Sequence, residues 1–198
     1  MIYLLLAYLL GAIPFGYLLP KILLGKDVRE YGSGNIGFTN VMRTFGLKIG
    51  SVVLVTDIAK GFIAVKLAQQ TGSLLLPLGA AVCVALGHNY TVFLKFQGGR
   101  GIATSAGALL ALMPQVVAIL FVIWVVVLLI SRYVSLASIL AAGSFPLLTA
   151  LAGYPWQYFL FSLALAAMAI YRHKPNIVRL LNGTELKLGQ KGEKRNEL

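Results

Sequence analysis

Apolar stretches at 2–24, 49–70, 73–87, 102–130, 133–153 and 155–171 occupy most of this 198-residue chain. Several reach the roughly 20 residues a helix needs to cross the hydrocarbon of a bilayer. The expected fold is therefore an all-α integral membrane protein. Only 12% of the residues are charged, against about a quarter in a soluble domain. Cys83, the one cysteine, lies in an apolar run and offers no disulfide framework. The N-terminus lacks a positive leader and a small-residue cleavage site, so 2–24 reads as a retained helix. One polytopic domain over 1–198 is expected, without internal repeats and with 188–198 as a basic tail.

The placement of charge sets the topology. Net charge is +11. Lys21, Lys26, Arg29, Arg43 and Lys48 surround the first loop, Lys95 and Arg100 occupy another, and seven basic residues fall in 172–198. The turns near Gln70–Gly72, Met113–Pro114 and Gly153–Pro155 carry none. Positive loops remain cytoplasmic. Reading 102–130 as one helix puts the basic tail opposite the other basic loops, whereas a break at Pro114 puts them all on one side. About seven spans follow, with the N-terminus outside and the C-terminus and polar loops in the cytoplasm. The span 102–113 is short, on the order of 18 Å at 1.5 Å per residue. Small residues at Ser105, Ala106, Gly107 and Ala108, and at Ser162, Ala164, Ala166 and Ala167, suit close helix contacts in lipid.

Three cytoplasmic segments carry the polar chemistry. In "YGSGNIGFTNVMRTFG" (31–46), Gly32, Gly34 and Gly37 let backbone N–H groups converge into an anion-binding concavity. Ser33, Asn35, Thr39 and Asn40 add neutral donors, Arg43 adds a bidentate fork, and Thr39 or Asn40 is expected to cap a short helix. The alternative is a flexible connector with an interfacial arginine. In "GHNYTVFLKFQGGRGIATSAG" (87–107), Gly98, Gly99 and Gly101 surround Arg100 and lead into a helix, with Lys95 as a second cation. His88 either orients substrate, accepts a proton or merely ends a helix. In "YRHKPNIVRLLNGTELK" (171–187), His173 and Asn176 sit where the last span emerges, and Glu185 is one of only six acids. Attraction to anionic lipid accounts for the far tail, 188–198.

Loop 31–40 also satisfies G-x-G-x-x-G, with Asp57 twenty residues after Gly37. That fingerprint has meaning only after a strand and within a βαβ unit; here an apolar helix precedes it and Asp57 lies within another. Asp57 and Lys60 share a helix face at i and i+3. Lys60 is either a third cation for the ligand or half of an internal strut.

Together the segments "GSGNIGFTN…R", "GH…F…F.GGRGIAT" and "HK.NI.RL..GTE", with "DIAKG" in the second span, resemble the three cytoplasmic motifs of the bacterial acyl-phosphate:glycerol-3-phosphate acyltransferases. The resemblance runs through almost the whole chain. Arg100 departs from it, standing where lysine is more usual; charge is kept but phosphate geometry changes. The resemblance implies an inner-membrane enzyme that moves a fatty acyl group from acyl phosphate to the sn-1 hydroxyl of glycerol 3-phosphate. It implies substrate binding and catalysis for Ser33 and Arg43, and acyl-phosphate contact for Gly98, Gly99, Arg100 and Gly101. His173 and Asn176 would then serve activity, and Glu185 structural integrity. The implied partners are the two substrates and membrane lipid, with no nucleic acid, no cofactor and no metal. Many apolar spans and modest loops permit a monomer.

No H-x-x-x-x-D box follows His88, because Phe93 stands in the acid's place, and acids are too scarce for a Ser-His-acid series. The base is then His88, His173 or a phosphate oxygen of the donor, and the substrate-assisted version is favoured. A transporter for a phosphorylated solute is the rival class; it is disfavoured by the missing inverted repeat and by polar motifs gathered on one face. Metal-dependent phosphotransferases need carboxylates that this chain lacks in number.

Overall fold

The computed structural model describes residues 1–194. These form α1 (Ile2–Ala12), α2 (Phe15–Leu24), α3 (Phe38–Phe45), α4 (Leu47–Gln69), α5 (Leu75–Asn89), α6 (Ile102–Leu112), α7 (Pro114–Ser131), α8 (Val134–Leu151), α9 (Trp156–Arg172) and α10 (Lys174–Leu181). The expectation of an all-helical protein holds. Among the described residues, four segments are long and apolar enough to cross a membrane: Ile2–Leu24, Leu75–Leu94, Pro114–Ser131 and Val134–Leu151. Helix α4 has the length but carries Lys48, Asp57, Lys60 and Lys66, and α9 is 17 residues long.

Two prolines set breaks. Met113, before Pro114, takes a non-helical conformation (φ −146°, ψ 59°), and Pro114 opens α7. Proline crowds the preceding residue out of the α region and is well placed in a helix's first turn. The stretch 102–130 is accordingly two helices, as the charge argument requires. The first apolar run corrects the reading: 2–24 is not one helix but two, with Ile13 extended (ψ 113°) before Pro14. The physical cause is the same, although apolar residues on both sides of Pro14 conceal it.

The chain forms two compact units, Met1–Ala108 together with the described residues from Gly189 onward, and Leu109–Leu188. In the first, α1 packs on α5, and both pack on α4. The closest approaches are at glycines. A Cβ on Gly11 would collide with the Val84 carbonyl, and one on Gly87 with that of Tyr8. Gly61 meets the Thr104 carbonyl and Gly107 that of Ile58 in the same way. Lipid gives no hydrophobic drive for helix association, so such backbone proximity carries the packing. In the second unit α8 packs on α7 and α9. Trp124 Nε1 donates to Ser138 Oγ at 3.2 Å, and the Phe145 and Phe161 rings meet edge-on at 6.1 Å. Ser162 and Ala166 are buried there, whereas Ala164 and Ala167 face outward.

Candidate active site

The first glycine loop rests on a small core of Val28, Ile36, Val41 and Val53, against which Leu94 of the second loop also packs. Its entrance is fixed by Asp27, which caps a 3-10 turn and pairs with Arg29 at 2.6 Å. The Arg29 guanidinium, through its side-chain hydrogen bond, holds the Asp27 carboxyl below its usual range.

The loop is organised around buried Asn40. Its Oδ1 accepts the Ser33 amide at 2.9 Å, and its Nδ2 donates to the carbonyls of Asn35 (2.9 Å) and Tyr31 (3.1 Å). Gly34 N donates to Tyr31 O, and Gly37 N to Asn35 Oδ1. Gly32, at φ +52°, donates to the carbonyl of Glu193 at 2.8 Å. The amides of all three glycines are thus engaged within the protein. The amides of 32, 33, 34 and 37 hold the loop together, because a glycine-rich turn must satisfy its own donors to keep one shape. The helix cap is corrected as well: Gly37 precedes α3, while Thr39 and Asn40 lie inside it. Ser33, Thr39 and Arg43 are half-buried on this loop.

Behind it lies a buried polar cluster. Lys60 Nζ is 2.8 Å from Asp57 Oδ1, 3.0 Å from the carbonyl of Ile13 and 3.0 Å from His88 Nδ1. Asp57 Oδ1 also lies 3.4 Å from His88 Nδ1, so the three side chains form one buried cluster. Toward the Lys60 ammonium, which has no lone pair, His88 Nδ1 can only accept, and toward the Asp57 carboxylate it can only donate. The break before Pro14 supplies this site, for Thr91 Oγ1 donates to the adjacent Ala12 carbonyl at 2.5 Å.

The second glycine loop is laid directly on His88. Gly99 N donates to the His88 carbonyl (3.0 Å) and Gly98 N to that of Asn89 (3.1 Å). A Cβ on Gly99 would strike His88 Nε2. Gly101, at φ +78°, sits over Asn89, whose Oδ1 would lie 2.7 Å from a Cβ there. Only glycine fits either position. Arg100 is half-buried between them, and α6 begins immediately after, its first amides unpaired by helix geometry. Lys95 is exposed at φ 53°, flanked by exposed Phe93 and Phe96.

In the second unit, His173 ends α9 and its Nδ1 donates to the Ala169 carbonyl at 2.7 Å. Glu185 accepts from Ser135 Oγ, Asn176 Nδ2 and Arg179 Nε, each at 2.7 Å. Burial raises its pKa, but these three donors outweigh it and hold the carboxyl below its ordinary value. Glu185 thus ties α8, α10 and the segment after α10 into one joint.

Sequence spacing finds the Asp57–Lys60 pair but not their partner His88, nor Asn40 as the hub of its loop. Pro14 was the available signal for the Ala12 and Ile13 carbonyls. No local signal marks Glu193.

The family model for glycerol-3-phosphate acyltransferase matches residues 1–183. The chain is 50% identical to glycerol-3-phosphate acyltransferase 2 of Moorella thermoacetica, over 95% of this chain and 97% of that one. It is 48% identical to glycerol-3-phosphate acyltransferase of Desulforamulus reducens, over 93% of each. A crystal structure of PlsY, an integral membrane glycerol 3-phosphate acyltransferase, in its glycerol 3-phosphate form superposes with a TM-score of 0.90 at 42% identity, covering 95% of this chain and 94% of that one. The lysophosphatidic acid form of PlsY gives a TM-score of 0.86 at 40% identity, with the same coverage. With the family model, the sequence identity and the fold all agreeing over nearly the whole chain, the chain belongs to the glycerol-3-phosphate acyltransferase family.

Proposed function

We propose that this chain transfers a fatty acyl group from acyl phosphate to the sn-1 hydroxyl of glycerol 3-phosphate, forming lysophosphatidic acid and inorganic phosphate. The observation that carries the mechanism is the seating of the Gly98–Gly101 loop on His88, whose Nδ1 is held by Lys60. An imidazole whose Nδ1 lies between a lysine ammonium and a carboxylate has its ring orientation fixed beneath that loop. So oriented, it serves to stabilise negative charge on the attacked carbonyl, and the donor's own phosphate serves as the base. The hydroxyl oxygen attacks the acyl carbon, the acyl–phosphate bond breaks, and the hydroxyl proton passes to a phosphate oxygen of the leaving donor. The reaction needs no cofactor or metal.

Ser33, Thr39 and Arg43 bind glycerol 3-phosphate, while Gly98, Gly99, Arg100 and Gly101, with Lys95, receive the acyl phosphate. His173 and Asn176 serve activity, as the family motif implies, and Glu185 and Asp57 serve structure. Gly32, Gly34, Asn35 and Asn40 shape the first loop, and Lys60 acts through His88 rather than on the ligand. Seven membrane passages are formed by 2–24, α4, α5, α6, α7, α8 and α9, in a monomer of the bacterial inner membrane. The N-terminus is outside, and the basic loops are cytoplasmic.

The test supplies purified protein in lipid with labelled glycerol 3-phosphate and either palmitoyl phosphate or palmitoyl-CoA. Labelled lysophosphatidic acid from the acyl phosphate alone is the expected result. Product from the thioester overturns the donor. No product from either, with uptake of labelled solute into sealed vesicles, favours the transporter.

A further inference from the structure

The last described residues are not a free tail. Tyr31 and Lys194 form an antiparallel bridge, the Gly32 amide donates to the Glu193 carbonyl at 2.8 Å, and the Gly192 amide donates to the Arg43 carbonyl at 3.4 Å. Three consecutive residues thereby grip both ends of the loop that presents Ser33 and Arg43. The grip is made by backbone: Lys191, Glu193 and Lys194 are exposed. It also requires a glycine, since a Cβ on Gly192 would lie 2.7 Å from Thr44 Oγ1 and 3.2 Å from the Gly32 Cα. Gly32 has a left-handed φ of +52°, a conformation with no preference of its own in an isolated glycine. The family model ends at residue 183, so this segment lies beyond the matched core.

We propose that residues 189–194 are a positioning strap for the glycerol 3-phosphate loop. The strap satisfies the Gly32 amide, braces the Arg43 carbonyl and narrows the loop to the arrangement that binds substrate. The proposal rests on the reading that loop 31–46 binds glycerol 3-phosphate. A loop that is competent only part of the time binds more weakly in proportion to that fraction. The loss therefore falls on one substrate.

The test compares the full chain with a truncation after Leu188 and with full-length Gly192→Val, measuring KM for each substrate separately in lipid. Removing two backbone hydrogen bonds is expected to raise KM for glycerol 3-phosphate about tenfold, with KM for acyl phosphate and kcat little changed. Gly192→Val gives the same split without shortening the chain, which keeps the test valid if the truncation folds poorly. Lys191→Gln/Lys194→Gln retains the full-length KM, because the contacts are main-chain. Unchanged KM in both truncation and Gly192→Val overturns the strap, and so does reproduction of the effect by the lysine variant, which would point to charge attraction. Ser33→Ala separates the two layers. If it leaves KM for glycerol 3-phosphate unchanged, the loop reading fails and the strap with it; if it raises KM while the strap variants do not, the strap alone fails.

Discussion

The ammonium of Lys60 stands 3.0 Å from Nδ1 of His88, although 28 residues separate them along the chain. With Asp57 at 2.8 Å on its other side, the lysine joins α4 to the end of α5. Removing one member of such a buried pair leaves the other uncompensated. Lys60→Met is expected to destabilise the protein by about 3–5 kcal/mol, and Asp57→Leu/Lys60→Met to recover much of that loss. Thermal unfolding in lipid nanodiscs measures both, and additive losses would rule out the coupling.

If Nδ1 of His88 accepts from Lys60, the ring hydrogen sits on Nε2. Nitrogen chemical shifts of labelled histidine should report the Nε2–H form in the wild type and a mixture of tautomers in Lys60→Met. Loss of one such donor lowers turnover by about 10²–10³. His88→Ala should therefore be slow but active, and His173→Ala should likewise retain measurable turnover wherever substrate still binds. Complete loss in either variant, with binding intact, would restore a protein base to the mechanism.

Asn40 serves its loop rather than the ligand. Asn40→Asp replaces the donor Nδ2 by an acceptor facing the carbonyls of Tyr31 and Asn35, while keeping the acceptor for the Ser33 amide. The cost of such an unmatched buried group is about 1–3 kcal/mol. Asn40→Asp should lower thermal stability by that amount and raise KM for glycerol 3-phosphate; an unchanged melting temperature would argue against the hub.

Glu185 makes the second unit sensitive to acid. Its pKa is depressed on folding, so its contribution is fully present above the unfolded value of about 4.3 and is lost as pH falls through the lower folded value. Melting temperature should drop in that acidic window for the wild type and change less for Glu185→Gln. The variant should be less stable at neutral pH by about 2–3 kcal/mol, the scale of hydrogen bonds to a charged group.

Glycine substitutions should divide sharply by position. Gly61→Val drives a side chain into the Thr104 carbonyl, whereas Gly143 has nothing within 4 Å of a Cβ. Overpacking costs about 1–3 kcal/mol, and Gly143→Ala, inside α8, should gain about 0.5–1 kcal/mol. Equal melting temperatures for the two variants would contradict the packing described.

Which features could be read from the chain depends on the range of the forces involved. Pro114 announced its break because bare turns and basic loops demanded one there. Pro14 did not, since no charge marks it. The Asp57–Lys60 pair is local, one turn of helix apart. His88, by contrast, joins them only once α4 and α5 have packed. The glycines of 31–37 correctly signalled an unusual turn, yet the use of their amides depends on where Asn40 and Glu193 arrive. The composition of 188–198 suggested attraction to lipid, because charge shows in a sequence and backbone pairing does not. Within that stretch, 195–198 lie outside the described residues.

The carbonyl-facing glycines of α1, α4, α5 and α6 also bear on handling of the protein outside its membrane. At Gly11, Gly61, Gly87 and Gly107 the helix joints contain no side chain for a solvent molecule to replace. Detergent exchanges the medium around the exposed leucines and valines but finds no crevice at these seams. Purification should therefore loosen the outer apolar surface long before it separates the helices that carry the two glycine loops.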